Sequence, residues 1–286
     1  MNYECLICQV KALEKRIEKY NIPLEQRDSV VSEMLSIIAG IDLENSYSPE
    51  ITRNILSRLN ESSDVIDPYD QEKSQSNHEM LERYDEFKSM VETSANPFET
   101  ALRLAIAGNI IDFGPNHQFD VEKTITQVLA SDFAINHSKK LQKAIAQAKT
   151  ILYLGDNCGE IVLDRLFLET IRHPNVWFAV REKPVLNDAT SIEAEEVGIH
   201  QFARIIKNGD DAPSTMLHRV SPEFLEIYRK ADLIISKGMG NYEGLMFENN
   251  PRLFFLLMVK CSVIGRKIGA PEGEFVVKQC SGLPQR

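Results

Sequence analysis

The chain has 286 residues and a hydrophobic fraction of 43%, enough for one large domain or two modest domains with a sizeable core. Its formal net charge of −10 argues against a nucleic-acid partner, whereas a small anionic substrate is compatible because a metal ion and a lysine can reverse the charge locally. The apolar runs are too short to cross a membrane, the N-terminus lacks a secretory signal and the cysteine count is odd, so we expect a cytoplasmic protein with no membrane partner and no structural disulfides.

The first half of the chain is predicted to be helical. Apolar residues recur every three or four positions there, and Ser48-Pro49-Glu50 and Asn96-Pro97 have the composition of helix starts. The helices are expected over residues 3–20, 29–38, 48–59, 77–92 and 98–111. The polar stretch 62–76, which contains Pro68, is predicted to connect two of them.

From about residue 140 short β-branched or aromatic segments alternate with helical ones, the pattern of βαβ units. Strands are predicted over 151–154, 176–180, 200–206, 233–235, 253–259 and 275–277. Helices are predicted over 159–172, 189–198, 221–230 and 244–249. The expected class is therefore α/β, with an N-terminal all-helical domain (1–140) packed on a C-terminal doubly wound, mostly parallel sheet (141–286) that carries the functional site.

Three polar turns follow three of the predicted strands. They are Gly155-Asp156-Asn157-Cys158-Gly159-Glu160, Lys183-Pro184-Val185-Leu186-Asn187-Asp188-Ala189-Thr190 and Lys237-Gly238-Met239-Gly240-Asn241. Ligands of open parallel sheets bind beyond the carboxyl ends of the strands, so the three turns are expected to share one site. Their carboxylates, carboxamides, glycines and lysine suit a hard divalent cation beside a phosphate.

Each turn also has a simpler interpretation. Asp156 and Asp188 are both placed where a side chain could cap the following helix. Lys237 could be an ordinary surface lysine. The three turns together favour the shared site, because one crevice would collect all of them.

The same turns, with Ala107-Gly108-Asn109-Ile110-Ile111-Asp112, resemble the signature motifs of the damage-control phosphatases. The resemblance runs from about residue 3 to residue 280, and four short motifs occur in the family's order. It implies a metal-dependent phosphatase that uses Mg²⁺, Mn²⁺, Co²⁺ or Ni²⁺ and acts on small phosphorylated metabolites.

The resemblance also implies roles for individual residues. Asp156, Asn157 and Asp188 match the family's metal ligands, and Lys237 matches its phosphate-binding lysine. The residues expected to contact substrate are Asn109, Asp112, Asn187, Lys237, Gly238, Gly240 and Asn241. Asn109 and Asp112 would close the site from the helical part, and Asp156, Asp188 and Lys237 are the expected catalytic residues.

The N-terminal Cys5-Leu6-Ile7-Cys8 resembles the pattern of the prokaryotic, archaeal-type branch of the family. On a helix the two thiols share a face, and Cys280 is a third candidate thiolate, with Cys261 a fourth, for a second metal or redox site. The alternative is that the cysteines are small buried residues of a packed helix.

The sequence therefore predicts a metal-dependent hydrolase of phosphomonoesters, with sugar phosphates and phosphopantetheine-like compounds as the expected substrate classes. Its nucleophile is either an activated water molecule or a carboxylate, Asp156 or Asp188. Two other classes stay open: a metabolite- or nucleotide-binding protein without catalysis, and a carboxyl methyltransferase. The sequence does not indicate the oligomeric state.

Overall fold

A computed structural model describes residues 2–44, 46–108 and 121–280 of the chain. Helices occupy its N-terminal part. They are α1 (Tyr3–Lys19), α2 (Leu24–Ala39), α3 (Ser48–Glu61), α4 (Asp70–Glu82), α5 (Tyr84–Thr93), α6 (Pro97–Ala107) and α7 (Val121–Ala130). A search of these described residues finds no helix of the length and apolar character that crossing a membrane requires.

The predicted helix over 77–92 is in fact two helices, α4 and α5, which meet at Arg83. The predicted connection over 62–76 was wrong beyond residue 69, because α4 already begins at Asp70. The inward face of α4 is mostly polar and includes Lys73 and Asn77, so the helix lacks the apolar period on which the prediction depended.

The C-terminal part alternates strands and helices. The strands are β1 (Ile135–Asn136), β2 (Ile151–Leu154), β3 (Val176–Val180), β4 (Arg204–Lys207), β5 (Leu233–Lys237), β6 (Leu253–Met258) and β7 (Phe275–Gln279). The helices are α8 (Ser138–Gln147), α9 (Glu160–Ile171), α10 (Ser191–Glu196), α11 (Pro222–Lys230), α12 (Gly238–Leu245) and α13 (Ser262–Ile268). The predicted strand over 200–206 is split into a 3₁₀ turn at Ile199–Gln201 and β4, and the helix expected over 244–249 is replaced by α12.

The strands form a seven-stranded sheet in the order β1-β7-β6-β5-β2-β3-β4. All neighbours run parallel except β6 and β7. The chain moves outward from β2 to β3 and β4 and then returns to β5 on the other side of β2. This reversal creates a crevice at the carboxyl ends of β2 and β5, the usual ligand position of such sheets. The expected α/β class with a helical N-terminal part is confirmed.

Two buried clusters cover the two faces of the sheet, and a third fills the space among α1, α2 and α3. The largest joins α5 and α6 to α9 and to side chains of β2, β3 and β5. The helical part and the sheet therefore share a core, and β1 lies before residue 140. The division of the chain at residue 140 stays a prediction.

Candidate functional site

Two of the three polar turns are joined through their backbones at the carboxyl ends of β2 and β3. Asn157 and Asp188 form an antiparallel bridge. Ala189 N–H donates to the Asp156 carbonyl at 2.8 Å, and Cys158 N–H donates to the Asn187 carbonyl at 2.9 Å. These bonds fix Asp156, Asn157 and Asp188 beside one another.

Neither aspartate caps the helix that follows its own turn. Helix α9 has Gly159 at its N-cap with no side-chain cap bond, and α10 is capped by Thr190 in a capping box with Glu193. Asp156 and Asp188 are only 7% and 4% exposed. Two buried carboxylates without a capping role need another source of charge compensation.

Arg181 supplies part of that compensation. It follows β3, is 3% exposed and donates from Nε to Asp188 Oδ2 at 2.6 Å. Its Nη2 lies 3.5 Å from Asp156 Oδ1. Arg181 was not among the predicted site residues, although its place between β3 and the Lys183–Thr190 turn could have indicated it.

Burial, with the nearby charges of Asp188 and Glu160, raises the pKa of Asp156 well above its usual value, although Arg181 and Lys260 act in the opposite direction. Burial also raises the pKa of Asp188, and there Arg181 is the main opposing charge. One guanidinium therefore does not fully compensate two buried carboxylates, and a further cation at this position would be stabilised.

Helix α12 starts directly against Asp156. Gly238 has φ +75°, and a Cβ built on it would lie 1.8 Å from Asp156 Oδ2. Gly240 approaches the Pro213 carbonyl in the same way, with a Cβ distance of 2.3 Å. The glycines let the first turn of α12, which no side chain caps, come close to the carboxylates.

Lys237 is neither on the surface nor open to the crevice, since its side chain is fully buried. Its Nζ donates to Glu160 Oε1 at 2.6 Å, to Asp164 Oδ1 at 2.5 Å and to the Ala105 carbonyl at 2.8 Å. These three bonds use all three protons of the ammonium group. Asp164 also accepts a bond from the Tyr153 hydroxyl at 2.7 Å.

Lys237, Glu160 and Asp164 form a cluster of buried charges. Burial disfavours its ammonium, but Asp164 and Glu160 outweigh burial and raise the pKa of Lys237. Burial raises the pKa of Asp164 to about 6, against the effect of Lys237. The cluster meets the aspartates through Asn157, whose Nδ2 lies 3.4 Å from Glu160 Oε2 and 3.1 Å from Asp156 Oδ2.

Sequence reasoning also missed Glu160, Asp164 and Lys260. Glu160 and Asp164 are four residues apart on the apolar helix α9, a spacing that places both on one face and could have revealed them. Lys260 follows β6, is exposed and lies within electrostatic reach of Asp156.

The other residues that were predicted to contact substrate lie in different environments. Asn241 is fully buried, donates from Nδ2 to the carbonyls of Gly155 and Lys237, and ties β5 to β2. Asn187 is half-buried in the turn before Asp188. Asn109 and Asp112 lie outside the described residues.

The helical part contacts the site through α4. Asn77 Oδ1 accepts a bond from Gly159 N–H at 2.6 Å, directly beside the Asp156-Asn157 turn. Lys73, buried next to it, donates to Asp67 at 2.6 Å and also bonds Glu193. Helix α4 therefore holds both aspartate-bearing turns from the outside.

The cysteines are free thiols and do not form an evident pair. Cys5 is half-buried and Cys8 is exposed on α1, whereas Cys280 is buried at the end of β7. Within the described ranges, no group of three or more His, Cys, Asp or Glu side chains is arranged to hold a metal ion. A second metal or redox site at Cys5, Cys8 and Cys280, with the family branch it would indicate, stays a prediction.

Comparisons with known proteins agree with this fold. The family model of the damage-control phosphatase ARMT1-like domain matches residues 1–276. A damage-control phosphatase of Pyrococcus horikoshii is 31% identical over 280 residues, 96% of each chain, and one of Archaeoglobus fulgidus is 31% identical over 255 residues, 87% of this chain and 88% of its own. The crystal structure of a DUF89 family protein from P. horikoshii matches with a TM-score of 0.89 and 31% identity, over 98% of this chain and 99% of that one. The chain belongs to the damage-control phosphatase ARMT1-like family.

Proposed function

We propose that this protein is a metal-dependent phosphatase that hydrolyses phosphomonoesters of small metabolites. The observation that carries the proposal is the pairing of two buried aspartates, Asp156 and Asp188, at the sheet's switch point, where burial raises the pKa of both. The names of the relatives, damage-control phosphatases, support the reaction class.

The donors around Asp156 fit a hard divalent cation. Asp188 Oδ1 and the Asn157 carboxamide oxygen accept no hydrogen bond within the described part of the chain, and together with Asp156 they form an all-oxygen set. Mg²⁺, Mn²⁺, Co²⁺ and Ni²⁺ are the candidate ions. Such an ion would neutralise charge that develops on the phosphoryl oxygens.

The phosphoryl group is expected beside the two aspartates, close to the first turn of α12. The N-terminus of this helix carries partial positive charge, which favours an anion. Lys260, exposed at the end of the neighbouring strand, adds an ammonium group within electrostatic reach of Asp156.

The contacts of Lys237 support a positioning role for it. Its three protons are already bonded to Glu160, Asp164 and Ala105, so a phosphoryl oxygen would have to displace one of these partners. By holding Glu160, which reaches Asn157, Lys237 would keep the carboxamide oriented toward the cation.

In the net reaction, the oxygen of a water molecule becomes bonded to phosphorus, the bond between phosphorus and the metabolite's oxygen breaks, and a proton from the water goes to the departing oxygen, so that an alcohol and inorganic phosphate are released. An activated water molecule and a carboxylate of Asp156 or Asp188 are the two candidate nucleophiles. Acid quenching followed by borohydride reduction separates them. A reduced aspartate found by peptide mass spectrometry supports the covalent route, and its absence beside a trapped control acyl-phosphate supports the water.

The first test is Asp156→Asn, which keeps the shape of the side chain and removes its charge. We expect kcat for p-nitrophenyl phosphate with Mn²⁺ or Co²⁺ to fall by about a hundredfold or more, because charge stabilisation is the largest contribution to such catalysis. Calorimetric titration of the metal-free protein with Mn²⁺ should show weakened binding as well. Asp132→Asn, an exposed acid away from the site, is the matched control; full activity of Asp156→Asn at saturating metal would contradict the proposal.

The alternative function is a metabolite-binding protein without catalysis. Such a protein would be stabilised thermally by phosphorylated metabolites and would release no phosphate. A panel of sugar phosphates and phosphopantetheine-like compounds, assayed for phosphate release with each divalent ion, separates the two functions and identifies the substrate class.

A further inference from the structure

Arg181 is held in place by three separate segments of the chain. Its Nε donates to Asp188 at 2.6 Å, and its Nη1 donates to Asn241 Oδ1 at 3.0 Å and to Thr215 Oγ1 at 3.4 Å. The residue is 3% exposed. Its guanidinium plane is therefore fixed before any ligand arrives, which lowers the entropy cost of forming a further hydrogen bond.

Among the residues that the structure describes, the third nitrogen of the same guanidinium, Nη2, finds no hydrogen-bond acceptor. Nη2 is buried and donates no hydrogen bond, although it lies 3.5 Å from Asp156 Oδ1. A buried charged donor that makes no hydrogen bond costs free energy even beside an opposite charge, so such a group is a strong candidate for a ligand contact. Because Nη2 lies beside Asp156 and Nε is bonded to Asp188, a ligand of Nη2 would lie at the centre of the candidate site.

We propose that Arg181 is a phosphoryl-binding residue, which donates from Nη2 to a non-bridging oxygen of the substrate while its Nε keeps Asp188 in place. The inference rests on the proposed function. A phosphoryl oxygen accepts a charge-assisted hydrogen bond from a guanidinium N–H, and such a bond is stronger than one between neutral groups. With a divalent ion held by the two aspartates, the positive charge of the guanidinium and the ion would exceed the negative charge of the two aspartates, which favours an incoming anion.

The alternative is a purely structural role, in which Arg181 only positions Asp188. The two roles predict different effects of replacing Arg181 on the affinity for a divalent ion. Removing a cation from beside two metal-binding carboxylates strengthens or preserves their affinity for a divalent ion, unless the carboxylates also lose their positions. Loss of a phosphoryl ligand weakens phosphate binding alone.

The experiment measures two affinities by calorimetry for the wild type, Arg181→Lys and Arg181→Met. The first is that of Mg²⁺ for the metal-free protein, and the second is that of inorganic phosphate for the Mg²⁺-loaded protein. We expect Mg²⁺ affinity to be kept or increased and phosphate affinity to fall by about tenfold or more, the usual effect of losing one charge-assisted hydrogen bond. Arg165→Lys, which replaces a guanidinium bonded to Val197 and stacked on Tyr84, is the control and should change neither affinity.

Three results would overturn the inference. Unchanged phosphate affinity in both Arg181 variants removes the contact, and a parallel loss of Mg²⁺ and phosphate affinity makes Arg181 a positioning residue for Asp188. A wild type that binds no phosphate with Mg²⁺ present removes the proposed function with it. If the Arg181 variants do not fold, Thr215→Val provides the test, because it removes one acceptor of Nη1 while leaving Arg181 in place. Phosphate affinity should then fall by about two- to fivefold at constant Mg²⁺ affinity. An unchanged phosphate affinity in this variant refutes the contact.

Discussion

Lys237→Met tests whether Lys237 belongs to the protein core or to the phosphate site. The substitution keeps the length and apolar stem of the side chain and removes the ammonium group bonded to Glu160, Asp164 and Ala105. Lys237 and its two ion-pair partners, Glu160 and Asp164, are fully buried, so the two carboxylates lose their bonded cation without gaining water. Breaking a buried pair in this way costs about 3–5 kcal/mol. For a chain of 286 residues that cost lowers Tm by about 5–8 °C.

The same substitution should make stability depend more steeply on pH. Burial already raises the pKa of Asp164 to about 6 with Lys237 present, and removing the positive charge moves it further up. An aspartate whose pKa is higher in the folded than in the unfolded protein binds more protons when folded, so stability falls as pH rises between the two pKa values. The loss of unfolding free energy in Lys237→Met is therefore expected to be larger at pH 8 than at pH 5.

Urea unfolding followed by circular dichroism at both pH values measures these losses. Lys207→Met is the control, because Lys207 forms only an exposed pair with Glu182 at 3.2 Å and should change stability by about 0.5 kcal/mol or less. Combining Lys237→Met with Asp164→Asn removes one of the stranded charges, so the double variant should be more stable than additive losses predict. A loss below about 1 kcal/mol in Lys237→Met, together with weakened phosphate binding, would refute the positioning role and return Lys237 to the phosphate site.

Two further substitutions test the site and its surroundings. Gly238→Ala should lower the unfolding free energy by about 1–3 kcal/mol and weaken Mn²⁺ binding in calorimetry, because φ is +75° and the new Cβ would meet Asp156 Oδ2. The control is Gly269→Ala, where φ is similar at +84° but the new Cβ would have open space around it. Mn²⁺ binding that falls equally in both variants would contradict the clash with Asp156. Burial raises the pKa of Glu243 from 4.5 to about 7 against the effect of Lys267, so its contribution to stability is lost as pH rises through that window. Glu243→Gln should accordingly gain stability relative to the wild type between pH 5 and pH 8 in urea unfolding, and an unchanged difference between the two proteins would rule this out.

Local patterns were sufficient for much of the fold. The strands over 151–154 and 176–180 were predicted with their observed bounds, because buried parallel strands are short apolar runs between clear turn signals. Prediction failed at α4, where the buried face is polar and satisfied by ion pairs such as that of Lys73 with Asp67. Partners of this kind come from distant segments, and no local period reveals them.

The sequence by itself was sufficient to select the turns of the candidate site, since Asp156 and Asp188 each follow a strand whose end opens into the crevice. Only the tertiary structure decided where the side chains of Lys237 and Arg181 lie. Lys237 ends β5 on the side of Leu233 and Ile235, which faces α9, so the alternation of the strand turns it into the core, where Asp164 and Glu160 meet it. Arg181 became part of the site because three remote segments converge on its guanidinium, a proximity that depends on sheet order and not on any spacing along the chain.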